Sequence, residues 1–259
     1  MSFSYNTIFN IPERSVLEKK LTKAFFLKNF DLSVVEKKLL NNSIINMDWL
    51  ASIKPTIANI PIVKNDNYTY EEIQIIVCTV VDNQLDELAT KCIVLLQKYI
   101  PYQMILIVED DSNFVINACD KRINLNDTSK RIIDSYSTTT ALSKLYKNEI
   151  ITSFFSALDF SSLDKSNIET TYKSYIQAIV QFQTASITGS FNKRSHSRTE
   201  EDIILLASIE TIEKEIARLS NQIKKVTQLN NRVSLNIEIQ NQRKKIQNIK
   251  TKISINEHQ

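Results

Sequence analysis

One glycine, Gly189, stands in a chain of 259 residues, where average usage of roughly 7% would supply about eighteen. Glycine gives positive φ to tight turns and lets backbone approach a phosphate closely. Its scarcity excludes the Walker loop, the dinucleotide fingerprint and the nucleophile elbow, each of which needs several glycines at fixed spacing. The chain must turn, and act, without glycine-rich loops.

The remaining composition is that of a globular protein: 42% hydrophobic and 24% charged residues, enough for one sizeable core and an appendage. Charge is distributed unevenly. Residues 1–189 carry 19 basic and 21 acidic side chains and residues 190–259 carry 13 and 8, so a body near −2 precedes a tail near +5. Cys78, Cys92 and Cys119 form no CxxC pair and have apolar neighbours, which fits buried reduced thiols of a cytoplasmic protein. With only His196 and His258 to join them, a structural zinc site lacks ligands, and neither a metal nor a cofactor is expected. Residues 1–12 lack the charged segment and apolar core of a secretory signal, so no leader is expected, and no apolar run reaches the roughly 18 residues that span a bilayer; no membrane partner is expected.

Apolar spacing predicts an amphipathic helix over residues 13–30 and a second over 32–50, weakened by Asn41, Asn42 and Ser43. Pro55 should stop helical structure, with irregular or edge-strand chain to residue 67. Residues 71–81 (EEIQIIVCTVV) read as a central strand buried on both faces. A helix over 84–99 follows, then strands at 102–108, 113–120 and 131–136, the first two joined as a hairpin through Glu109, Asp110 and Asp111. Helical spacing resumes over 141–158 and 166–187. The expected fold is therefore α+β: a small mixed or mostly antiparallel sheet flanked by helices in residues 1–189, a linker at 190–199, and a basic, coiled-coil-like helical tail over 200–259. Gly189, at a predicted helix end, marks the boundary.

In the tail, Ile209, Ile212, Ile216, Leu219, Ile223 and Val226 alternate at three and four residues as a heptad seam. A second seam through Leu235, Ile239, Ile246, Ile249 and Ile253 is offset by two residues. Either one long helix shifts its buried face and pairs with another chain, or the tail folds back near Asn230 and Asn231.

Chemistry is sparse. Glu72 and Gln74 share one side of a strand, and many metal-dependent nucleases place an acid and a lysine there; Asp48 or Asp66 would have to complete the ligand set. The bland reading is a solvated strand entrance, and enzymatic activity is the less favoured alternative. Lys121, Arg122, Lys130 and Arg131 could grip phosphate or simply solvate strand ends. In the tail, Lys224, Lys225, Arg232, Arg243, Lys244, Lys245, Lys250 and Lys252 face few acids. A basic helix of this kind either lies along a phosphate backbone or stays solvated, and few aromatics interleave it to stack single-stranded bases.

Asp48-Trp49-Leu50, Lys54-Pro55-Thr56, Asn59-Ile60, Glu72-Ile73-Gln74, Ile100-Pro101-Tyr102, residues 118–121 and the run from Gln228 to Asn236 together resemble a bacterial family, domain of unknown function 4391. The resemblance implies an α+β body with a helical tail, and genes that neighbour DNA methyltransferases and helicases of restriction or phage-defence loci. It carries no catalytic residue over, and Asn231 stands where family members often have lysine or arginine. The expectation that follows is a non-catalytic accessory subunit that docks a helicase or methyltransferase through the tail seam, Ile209 to Val226. DNA binding by the basic residues and self-association through the tail are the alternatives, with a divergent metal nuclease behind them.

Overall fold

The computed structural model describes residues 3–127 and 130–255, which places His258 outside the described residues. The chain forms two compact units, residues 1–183 and 184–259. The first begins with α1 (Tyr5–Phe9), a 3-10 turn, β1 (Val16–Lys20), α2 (Lys23–Asn29), α3 (Val34–Lys38) and β2 (Ile44–Ile53). It continues through α4 (Pro55–Ala58), β3 (Val63–Lys64), β4 (Thr69–Tyr70), β5 (Ile73–Val80), α5 (Leu85–Tyr99), β6 (Gln103–Glu109), β7 (Asn113–Ile123), β8 (Arg131–Thr138), β9 (Leu142–Ser143) and α6 (Glu149–Leu158). α7 (Ile168–Thr188) runs across the boundary, and α8 (His196–Ile223) and α9 (Leu229–Ser254) follow.

The fold is α+β, with a mixed seven-stranded sheet ordered β1-β2-β5-β6-β7-β8 and β9 paired to β7. β5 and β6 are parallel and joined by α5; every other described pair in this sheet is antiparallel. Both faces of the central strands are covered, so β5 and β6 read as continuous apolar runs. On one face Ile76, Cys78, Met104 and Leu106 pack with Leu88, Cys92, Leu95 and Leu96 of α5 and with Phe26 and Leu40. On the other face the buried hydroxyl of Tyr172 donates to the Cys119 carbonyl at 2.8 Å and accepts from the Cys119 amide at 3.0 Å, pinning α7 to β7. All three cysteines are free and buried.

The scarcity of glycine is met by asparagine. Asn10, Asn59 and Asn83 take φ of 43°, 55° and 60° at helix ends or turns, the left-handed conformation that asparagine tolerates better than other side chains. Gly189 itself has φ +80°, and its amide returns to the Ala185 carbonyl at 2.8 Å as α7 ends.

Four sequence expectations are corrected. Residues 13–30 are not one helix: Glu18 takes φ 47° where β1 slips its register on β2, and the Thr22 side chain caps α2 by accepting from the Phe25 amide. Residues 32–50 are a short helix and a long strand. Ser33 and Glu36 form a capping box that starts α3, a π-turn at Leu39–Ser43 ends it, and β2 takes the remainder. In 141–158 only α6 is helical; Leu142 and Ser143 pair with β7, and the Asn148 side chain caps α6. Pro55 starts α4 rather than ending structure, since a missing N–H costs nothing in a first helical turn.

In the second unit α8 begins at His196, within the 190–199 stretch, under a Ser195 cap. The chain reverses over residues 224–228, so α8 and α9 are two antiparallel helices rather than one continuous one. The two seams face each other. Ile209, Leu219, Ile239 and Ile253 are buried, while Ile212, Ile216, Ile223, Val226, Leu235, Ile246 and Ile249 are half-buried.

Candidate functional site

Glu72 sits just before β5, and its carboxylate accepts from the Ser52 hydroxyl at 3.1 Å and lies 3.7 Å from the Lys54 ammonium. It borders a cleft of about 200 Å³ with Thr69, Glu71, Pro101, Tyr102, Gln103 and Arg131. Gln74 does not share that solvent. Its side chain is fully buried and accepts from the Trp49 indole N–H at 2.6 Å. Asp48 pairs with Val77, five residues further along β5 than Glu72, or roughly 16 Å at the strand rise; Asp66 lies between β3 and β4. The strand therefore does not gather Glu72, Gln74 and Asp48 at one point. Among the described residues no three His, Cys, Asp or Glu side chains form a metal-sized group.

The basic residues at the same end of the sheet are engaged. Lys121 is fully buried and donates to the carbonyls of Ile100 at 2.6 Å and Tyr102 at 2.9 Å, just beyond the C-terminal end of α5. Burial pushes its ammonium down to about 8. Arg122 binds Asp134 at 2.8 Å and Lys130 binds Asp127 at 2.9 Å. The acidic run is the β6–β7 turn: Asp110 accepts from the amides of Ser112 and Asn113. Glu109 meets Tyr5, Thr79 and Lys144, and burial followed by the Glu109 charge raises the Tyr5 hydroxyl far above its ordinary value.

The tail separates its charges by helix. α8 carries Glu200, Glu201, Asp202, Glu210, Glu213 and Glu215 against Arg198, Lys214 and Arg218, and each of those three cations is paired within α8. α9 carries Arg232, Arg243, Lys244, Lys245, Lys250 and Lys252 against Glu238 alone. No ion pair among the described residues engages any of the six. Lys224 and Lys225 lie exposed at the turn. The predicted seam, Ile209 to Val226, is faced by α9 of the same chain, whereas Leu229, Val233 and Ile237 on α9 remain exposed.

One cluster was not legible in sequence. Asp202 is fully buried between Arg194 at 3.3 Å and Arg198 at 3.2 Å, and those guanidinium groups donate to the carbonyls of Ile253 and Lys252. The start of α8 thereby holds the end of α9. Only the i,i+4 spacing of Arg198 and Asp202 hinted at it.

Residues 9–246 match a family described as domain of unknown function DUF4391. The chain belongs to this family. The DUF4391 match spans the whole sheet, α8 and most of α9. Within it, the short motifs that carried the resemblance meet in pairs: Trp49 with Gln74, Lys54 with Glu72, and Lys121 with Ile100 and Tyr102. Comparison with curated proteins and with solved structures gives no match for this DUF4391 chain. Among its described residues no helix is long and apolar enough to cross a membrane.

Proposed function

We propose that this protein is a non-catalytic accessory subunit that engages nucleic acid through α9 and works beside a helicase or DNA methyltransferase of a bacterial restriction or anti-phage system. The observation that carries the reading is the charge of α9: six exposed or half-exposed cations, one acid, and, among the described residues, no ion pair that occupies those cations. A helix of 26 residues is about 39 Å long, and cations along it displace counterions from a phosphate backbone. A cytoplasmic location accords with this role and with three buried free thiols. The metal-nuclease alternative draws no support from Gln74, buried against Trp49, or from Asp48, remote from Glu72. Full-length protein titrated onto a labelled duplex at ~50 mM salt should bind saturably and weaken steeply as salt rises; absence of binding at that salt overturns the reading.

Docking of a protein partner is the second reading, favoured by the exposed Leu229, Val233 and Ile237 at four-residue steps on α9. Here α8 and α9 act as a coiled-coil-like hairpin whose seam is filled internally, and the partner, or a second copy, covers the outer stripe. Co-purification with neighbour-encoded proteins should fail once residues 200–259 are removed; retention of the full complex contradicts this docking mode.

A further inference from the structure

The outward side of α9 carries more than charge. α9 packs on α8 through Leu235, Ile239, Ile246, Ile249 and Ile253, which form one stripe at about 100° per residue. In its C-terminal half the opposite direction is taken by Gln240, Asn241, Lys244, Gln247 and Asn248, all exposed. These are positions i, i+1, i+4, i+7 and i+8 of a single face. Arg243 and Lys250 run along one flank of that face, Lys245 and Lys252 along the other, each pair seven residues and about 10.5 Å apart. From Ile239 to Ser254 the helix holds no acidic side chain, and α9 holds no aromatic one.

We propose that the C-terminal half of α9 enters the major groove of duplex DNA, with its two cation rows on the two phosphate walls and the amide ridge against base edges. The proposal rests on the nucleic-acid reading and deepens it by naming B-form duplex DNA as the ligand. A B-DNA major groove is ~12 Å wide and admits a helix ~10–12 Å across. Cations on both flanks match a groove with two charged walls; contact with a single backbone needs one row. Asparagine and glutamine present a donor and an acceptor together, the pair that adenine offers in this groove. The lack of aromatics removes the stacking platform of a single-strand binder.

Fluorescence anisotropy of the full chain against a DNA duplex of ~20 bp, about two helical turns, and an RNA duplex of the same sequence tests this directly. The major groove of A-form RNA is deep and narrow and excludes a helix, so DNA should bind at least about tenfold more tightly than RNA at equal salt. A variant with Gln240, Asn241, Gln247 and Asn248 all replaced by alanine should keep its helicity and salt slope yet lose about tenfold or more in DNA affinity. Equal affinity for both duplexes, or an unchanged affinity in the amide variant, overturns groove entry and leaves the phosphate reading standing. Failure to bind either duplex at low salt overturns both.

Discussion

Lys121 Nζ lies 2.6 Å from the carbonyl oxygen of Ile100, with no solvent exposure, at the point where α5 has ended and β6 is about to begin. A cation at a helix C-terminus is stabilised by the helix dipole and by carbonyls left without intrahelical partners. Burial opposes this by disfavouring charge, which is why the ammonium falls to about 8 from 10.5.

An unfolded chain keeps this proton until about pH 10.4, so between pH 8 and that value the unfolded state binds more protons and stability rises with pH. The penalty relieved across the window is about 3 kcal/mol. Lys121→Met should abolish that rise when urea unfolding is followed from about pH 8 to pH 10. Buried thiols and tyrosines, Cys119 raised to about 12 among them, pull the other way in both proteins, so the difference between the two curves is the readout. Parallel curves would mean that the folded protein holds the Lys121 proton as tightly as the unfolded chain does, and would refute the lowering by burial.

Asp202 holds two guanidinium groups at the open end of the α8–α9 pair. Asp202→Ala removes the fully buried carboxylate from between them, a loss of about 3–5 kcal/mol. Hydrogen exchange should show α8 and α9 amides deprotected while β5 and β6 amides keep their protection; uniform protection in both units would mean that the triad is dispensable.

Leu219 and Val233 are both apolar tail residues, yet their exposures are 1% and 49%. Leu219→Asp places an unpaired charge between the helices and should cost more than about 3 kcal/mol, read as lost helicity at 222 nm on mild heating. Val233→Asp should stay within about 0.5 kcal/mol of wild type. Equal effects would contradict the facing seams.

Gln74 accepts the Trp49 indole N–H at 2.6 Å within the sheet. Gln74→Met should strand that donor and destabilise by about 1–3 kcal/mol, measured by urea unfolding, without altering DNA affinity. A large loss of binding with unchanged stability would instead return Gln74 to a functional role.

Much of the body was legible because its signals were local. The β-branched run at β5, the amphipathic α5 and the β6–β7–β8 succession each bury one consistent pattern, and the structure follows them within a few residues. β1 and β2 were illegible because their apolar residues fall by coincidence at helical spacing, and what decides between helix and strand is pairing distant in sequence, β2 with β5 and β1 in turn with β2. Positive φ at Glu18 falls where β1 slips its register on β2, and the π-turn through Asn41 and Asn42 leads directly into β2. The roles of Gln74 and Lys121 were hidden for the same reason: a glutamine and a lysine in apolar strands look like a solvated edge or a phosphate grip until the partners, an indole and two carbonyls, are placed beside them. In the tail, the two offset seams were readable, but the turn that brings them face to face uses no glycine or proline, only residues 224–228 at the close of α8.

The central claim is that the cations of α9 hold nucleic acid. The most direct measurement is the salt dependence of duplex affinity for wild type and for a variant with Arg243, Lys244 and Lys245 all changed to glutamate. Wild-type affinity should fall linearly on a log–log plot, with a slope of about −0.9 per phosphate contacted, and the variant should bind far more weakly with a slope shallower by about 3. A variant that retains wild-type affinity and slope would contradict the account.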